Sequence, residues 1–174
     1  MKKLGLIFGM IVLTLSMNAQ ENELKLSPLG FEALVNNING KTSNELYETS
    51  LDWIGEYYEN PDEVLKSSIN GEKIRLNGVA FVINKGMQTY TMRYTIELLF
   101  KEGRYKFDLN IKNFLLTPSG MEVSLKKLGV YNKDGSVHKR GQKWISAIEV
   151  AGNLILKSYH NYLTGATSKS EDDW

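Results

Sequence analysis

The sequence predicts an α+β domain in which two helices cover one face of an antiparallel sheet, an arrangement known as a two-layer sandwich. Two observations carry this prediction. The elements follow in the order strand, helix, four strands, helix, and short turns join the strands. Apolar and polar residues alternate along the central strands, and apolar residues recur every three or four positions in both helices. Each element therefore has one apolar face to bury.

The first half of the domain begins with a strand at residues 29–38, which a turn at Asn39-Gly40 ends. A helix follows from Thr42. Thr42 and Glu45 form a capping-box pattern, in which each side chain satisfies a free N–H at the start of the helix. Asn60-Pro61 ends the helix, because proline disfavours helical geometry in the residue before it. Between these signals, apolar side chains keep helical spacing at Tyr47, Leu51, Ile54 and Tyr58.

Four strands come next, and together they form an antiparallel meander. They cover residues 64–69, 74–83 and 89–101, and a fourth begins at residue 104 and weakens after Phe114. Asn70-Gly71 and Glu102-Gly103 are tight hairpin turns, and residues 84–86 are predicted to form a three-residue turn.

The alternation also predicts the pairing of these strands, because a slip of one residue would set apolar side chains against polar ones along a whole hairpin. The expected pairs in the last hairpin are Phe100–Tyr105, Leu98–Phe107, Ile96–Leu109 and Tyr94–Ile111. In the preceding hairpin they are Ile74–Ile96 and Leu76–Tyr94. On the opposite, polar face Glu97 and Asp108 are expected to face each other.

The C-terminal part is predicted to contain one long helix. Residues 117–134 are rich in glycine and turn signals, and we interpret them as a connection with room for one extra strand. From Lys143 onward, helical spacing joins Trp144, Ile148, Ala151, Ile155, Tyr159 and Tyr162. The single domain is thus expected at residues 29–163, between a loose segment at 20–28 and a disordered tail at 164–174.

Residues 1–19 have the three-part pattern of a cleavable signal peptide. Lys2 and Lys3 precede an apolar stretch at residues 4–15, and a short polar exit ends at Ala19. The apolar stretch has twelve residues, and a membrane-spanning helix needs about 20. We therefore expect export to the periplasm or beyond the cell, with no stable membrane insertion once the signal is removed. An uncleaved anchor is the alternative.

Composition excludes several kinds of chemistry. Loss of Lys2 and Lys3 with the signal leaves 19 basic and 20 acidic residues, a net charge of −1. Such a near-neutral domain lacks the positive charge that nucleic-acid binding needs. The chain has no cysteine, which removes disulfides, thiol nucleophiles and cysteine-bound zinc.

Several short stretches resemble one family. They lie within residues 30–113 and are Ser43-Asn44-Glu45-Leu46-Tyr47, Trp53-Ile54, Asn77-Gly78, Tyr94-Thr95-Ile96 and Lys101-Glu102-Gly103-Arg104-Tyr105-Lys106. On these stretches the chain resembles a family of secreted bacterial domains of unknown function with a TATA-binding-protein-like (TBP-like) fold. The resemblance implies that the sheet is curved. It implies no activity, and the likeness of the fold to a DNA-binding saddle does not carry that function to this chain.

No catalytic, metal or nucleotide motif stands out, so we expect no enzyme activity and no cofactor. His138 and His160 are the only histidines, and neither has a second ligand at a recognisable spacing. Glu97 and Asp108 could share a proton if buried, but lysines and arginines near them favour a solvated face. An enzyme with an unrecognised site remains one alternative, and a structural subunit that assembles through a sheet edge is another.

The leading hypothesis is therefore binding of a protein or envelope component through the open face of the sheet. The candidate contact residues are Val79, Phe81, Ile83, Arg93 and Lys106. The predicted register points the three apolar side chains to the polar face. Three explanations are open: a bulge at Gly78 that returns them to the core, a cover from another segment of the chain, or contact with a partner.

Overall fold

The computed structural model describes residues 22–166. Its strands are β1 (Leu26–Ser27), β2 (Gly30–Phe31), β3 (Leu34–Asn37), β4 (Leu65–Ile69), β5 (Lys73–Lys85), β6 (Gln88–Lys101), β7 (Arg104–Thr117) and β8 (Met121–Val123). Its helices are α1 (Ser43–Tyr57), α2 (Pro61–Val64) and α3 (Gln142–Thr164), with a 3-10 turn at Leu125–Leu128. The predicted signal peptide lies outside the described residues, as do residues 167–174 of the predicted tail.

The main sheet has six strands and is antiparallel throughout. Its order is β3-β7-β6-β5-β4, and β8 pairs with the end of β7 on the same side as β3. Helices α1 and α3 pack on one face of this sheet, where Trp53 of α1 lies 4.9 Å from Tyr159 of α3 between ring centroids. Tyr159 in turn contacts Phe107 of β7. The predicted α+β fold with two helices on one sheet face is confirmed.

The β6–β7 hairpin has the predicted register. Phe100 lies opposite Tyr105, Leu98 opposite Phe107, and the remaining two predicted pairs are also present. Their side chains form the centre of the core, and Leu98 and Phe107 are completely buried. Alternation was decisive here because both strands are long and each has a single apolar face.

The predicted β5–β6 register is wrong by two residues. Ile74 lies opposite Leu98, and Leu76 lies opposite Ile96. The hairpin turn consists of Gly86 and Met87 only, since Lys85 pairs with Gln88, and β5 carries one extra residue between Phe81 and Ile83. A shift of two keeps the side chains that precede the extra residue on their predicted face, so the apolar pattern could not reveal the error.

The capping box at α1 is present as predicted. The Glu45 N–H donates to Thr42 Oγ1 (3.2 Å), and the Thr42 N–H donates to Glu45 Oε2 (2.7 Å). The second predicted helix corresponds to α3, which begins at Gln142 and ends at Thr164, and Gly165 caps it in the left-handed conformation (φ 70°). Thr164, predicted to lie in the tail, is therefore the last residue of the helix. β8 is the extra strand for which the connection had room.

The segment at residues 20–28 was predicted to be loose, and for residues 22–28 this is wrong. Leu24 and Leu26 are buried in the core, and the backbone of Leu24 makes two hydrogen bonds with the Asn153 side chain of α3, at 2.8 and 3.0 Å. The Leu26 N–H donates to Glu149 Oε1 (2.9 Å). A segment without local periodicity is thus ordered by a helix more than 120 residues away. The predicted first strand is likewise divided into β2 and β3.

Candidate binding surface

The outer face of the sheet, opposite the helices, carries polar side chains that pair with one another. Lys73 Nζ lies 2.6 Å from Glu97 Oε2, and the Thr95 hydroxyl donates to Asn77 Oδ1 (2.8 Å). Glu97 and Asp108 face each other as predicted. Each has a lysine close by, since Lys106 Nζ lies 3.9 Å from Asp108 Oδ2. The two carboxylates thus belong to a network of ion pairs at the surface.

Val79 and Phe81 interrupt this polar face. Both belong to β5, and their side chains are 65% and 59% exposed. Because cross-strand neighbours share a face, Val79 lies beside Arg93, and Phe81 lies beside Thr91. Two apolar side chains of this size, more than half exposed on one strand, form an apolar strip on the outer face.

Ile83 does not belong to this strip, and its predicted outward position is wrong. Val82 follows the alternation of β5 and is buried, and the extra residue between Phe81 and Ile83 then reverses this alternation, so that Ile83 also packs against the core. A bulge, one of the three explanations left open, therefore exists, but three to five residues after Gly78. It returns Ile83 to the core and leaves Val79 and Phe81 outside.

Gly78 has a different role. A Cβ atom at this position would lie 2.5 Å from Cζ of Tyr94, its cross-strand neighbour. The absence of a side chain lets the Tyr94 ring pass over the strand, and the Tyr94 hydroxyl lies 3.0 Å from the hydroxyl of Tyr58. The glycine therefore supports the core beneath the strip.

The two predicted basic contact residues lie far apart. The Arg93 guanidinium forms an ion pair with Glu122 of β8, whose other carboxylate oxygen accepts a hydrogen bond from Asn113 Nδ2 (2.6 Å). Lys106 lies at the other end of β7, beside Val35 of the edge strand β3. Val79, Phe81 and Arg93 therefore come together, whereas Lys106 lies elsewhere on the face.

A shallow groove adjoins the strip on its other side, and the wall that α3 contributes was not predicted from the sequence. Phe81 and Val82 form one wall, and Val150 and Leu154 of α3 form the other, around a volume of about 350 Å³. Val150 and Leu154 are 59% and 63% exposed. Their spacing of four residues, beside the buried stripe of α3, was the one available signal.

The remaining candidates for chemistry serve the core. Tyr58, Tyr94 and Tyr105 are largely buried, and burial raises the pKa of each, to about 12 for Tyr94. The Tyr105 hydroxyl lies 2.9 Å from Nδ1 of His160, which gives this histidine a structural partner. Among residues 22–166, no group of three or more histidine, aspartate and glutamate side chains is placed to hold a metal ion.

The sequence of residues 33–114 matches the family model described as a domain of unknown function (DUF4468) with a TBP-like fold. This region is a DUF4468 domain. It contains β3 to β6 and most of β7, including Val79, Phe81 and Arg93, whereas Val150 and Leu154 lie beyond it.

Two solved structures share the fold of this chain. One is a DUF4468 family protein from Bacteroides ovatus, with a TM-score of 0.62 and 15% sequence identity, covering 76% of this chain and 84% of that one. The other is a TBP-like protein from Parabacteroides distasonis, with a TM-score of 0.59 and 12% identity, covering 76% and 90%. At such identities the likeness establishes the fold alone. No curated protein matches the chain.

Within residues 22–166, no helix combines the length and the apolar character that a membrane span needs.

Proposed function

We propose that this chain is an exported, non-enzymatic module that binds a protein or envelope component through the outer face of its sheet, at the strip of Val79 and Phe81. The observation that carries the proposal is the exposure of these two side chains, close together on one strand of a largely polar face. Within residues 22–166 both helices that pack on the sheet lie on the opposite face, so no helix covers the strip.

The composition around the strip suits a contact surface. Burial of a large apolar side chain contributes about 1.5–3 kcal/mol, so Val79 and Phe81 can supply the attraction. Arg93 beside them can orient a partner, because arginine is enriched at interfaces and offers several donors. Glu122 already holds its guanidinium in place, so binding would cost little of the side chain's conformational entropy.

Support for a non-enzymatic role comes from the neighbours that the candidate polar side chains already have within the fold. The facing carboxylates Glu97 and Asp108 are close to lysines, and Tyr105 and His160 bond to each other in the core. These groups stabilise the fold where they lie. Export is supported by the three-part pattern of residues 1–19, and the periplasm or the outside of the cell is the expected compartment.

The test is capture of a partner from an envelope extract of the producing bacterium by the tagged mature chain. Phe81→Asp places a charge in the centre of the strip and should abolish the capture seen with the unchanged protein. Its melting temperature should stay nearly unchanged, because the side chain is 59% exposed.

Val35→Asp is the matched control. Val35 is also a half-exposed apolar residue (53%) but lies on β3, at the other side of the sheet. This variant should capture the same partner as the unchanged protein. Equal loss of capture in both variants would contradict a specific role of the strip, and a large loss of stability in Phe81→Asp would place Phe81 in the core.

A further inference from the structure

Part of one sheet edge has no strand beside it. β4 pairs with β5 only as far as Leu76, opposite Leu65. Alongside residues 77–85 of β5, the described part of the chain provides a partner strand, β6, on one side only. A row of unpaired main-chain groups of this kind is a template for another strand.

The hydrogen bonds of β5 show which groups are unpaired. The Phe100 N–H donates to the Glu72 carbonyl (2.9 Å). Residues of an antiparallel strand direct their main-chain groups to alternate sides. The N–H and C=O of Asn77, Val79 and Phe81 therefore point away from β6, toward the open edge.

Helix α3 extends over the position that a further strand would occupy. Val150 and Leu154 lie across the groove from Phe81, where the sheet itself has ended. Within the described residues they are the most exposed large apolar side chains of this helix. An added strand would therefore find main-chain partners on β5 and an apolar surface on α3.

The charges at the two ends of the open edge are opposite. Residues 76–84 carry no charge. At one end, α2 precedes β4 and carries Asp62 and Glu63, which outnumber the lysine that lies there, Lys66, whose Nζ donates to the Glu63 carbonyl. At the other end, Lys85 closes β5 with its Nζ 5.6 Å from the ring centre of Trp144, and Lys143 is the neighbour of that tryptophan.

We propose that the open edge of β5 binds the same edge of a second copy of this chain in antiparallel orientation. A two-fold axis makes such an interface self-complementary, because each edge is both template and added strand. The antiparallel orientation brings the basic end of one edge toward the acidic end of the other, whereas a parallel copy would set like charges together. The two sheets then continue into each other, and Val150 and Leu154 of each copy are covered.

This dimer goes beyond the proposed binding function and does not require capture of any other molecule. It is tested on the purified mature chain alone, by sedimentation velocity over a range of protein concentrations. The unchanged protein should sediment as a dimer, and Leu154→Glu should sediment as a monomer with an unchanged melting temperature. Lys157→Glu, an exposed position one turn further along α3, is the matched control and should remain dimeric.

Amide hydrogen exchange tests whether the open edge of β5 forms the dimer interface. The amides of Val79 and Phe81 should exchange at least ten times more slowly in the dimer than in the Leu154→Glu monomer. A monomeric unchanged protein would overturn the inference, as would a dimer in which these two amides exchange as fast as in the variant. A monomer that still captures an envelope partner leaves the proposed function standing, and a dimer that captures nothing contradicts only that function.

Discussion

Gly78→Ala should destabilise the domain, although alanine fits the backbone of a strand. Gly78 does not have a positive φ, so the effect comes from the added methyl group. Its carbon would lie 2.5 Å from Cζ of Tyr94, and the optimal separation of two carbon atoms is about 3.5–4.0 Å. The ring must therefore move by about 1 Å, within a core that already holds it on the other sides.

The magnitude follows from three contributions. Overpacking of this kind costs about 1–3 kcal/mol. Movement of the ring also weakens the hydrogen bond between the hydroxyls of Tyr94 and Tyr58, which is worth about 1 kcal/mol. Replacement of glycine by alanine restricts the unfolded chain and returns about 0.4–1 kcal/mol. The expected net loss is about 1–3 kcal/mol of unfolding free energy, which corresponds to a melting temperature lower by about 2–12 °C.

Urea denaturation of four variants tests this origin. The loss should largely disappear when Gly78→Ala is made in a Tyr94→Leu background, because the ring that clashes is then absent. Gly55→Ala in α1 is the control, since a Cβ added at Gly55 would meet no atom within 4 Å, and it should stabilise the helix by up to about 1 kcal/mol. An equal loss in both Tyr94 backgrounds would refute the reasoning.

Three further predictions concern the core, the buried tyrosines and export. Phe107→Ala should lower the unfolding free energy by about 3–5 kcal/mol, because it empties a fully buried site. Lys106→Ala on the outer face should change it by no more than about 0.5 kcal/mol. Denaturant melts that rank the two variants the other way contradict the register. Burial raises the pKa of Tyr94 to about 12, above the usual value of about 10, so its contribution to the unfolding free energy should be constant below about pH 10 and fall as pH rises toward 12. Urea melts between pH 9 and pH 12 check this, and a stability that does not fall there contradicts it. The intact mass of the exported protein should place its first residue at Gln20, and a retained Met1 would exclude cleavage.

Local signals were sufficient for most of the fold. The capping box predicted the start of α1 because the side chains of Thr42 and Glu45 each accept a hydrogen bond from the main-chain N–H of the other residue. No distant residue is needed for these two bonds. The β6–β7 register was predictable because two long strands alternate with a period of two and meet at a tight turn. In both cases the residues that decide the structure are close in sequence.

Prediction from the sequence failed where contacts between residues far apart in the chain decide the structure. Leu24 is held by Asn153, more than 120 positions away, and nothing near Leu24 indicates this contact. The bulge in β5 also lacks a local signal, and it alone separates Ile83 in the core from Phe81 at the surface. Of the predicted site, Val79, Phe81 and Arg93 lie together on the outer face, whereas Lys106 lies on the same face but at the other end of β7.

The sequence by itself determined which residues have an apolar face to bury, since alternation and helical spacing are properties of the chain alone. It thereby determined the sheet, its central hairpin and the two covering helices. Only the tertiary structure decided what remains uncovered. The pairing of β4 with β5 reaches only as far as Leu76 while β5 continues, and Val150 and Leu154 of α3 remain exposed across the groove from Phe81. A side chain is exposed where no other helix or strand packs over it. The pattern of residues within one segment does not show which other segments will lie there.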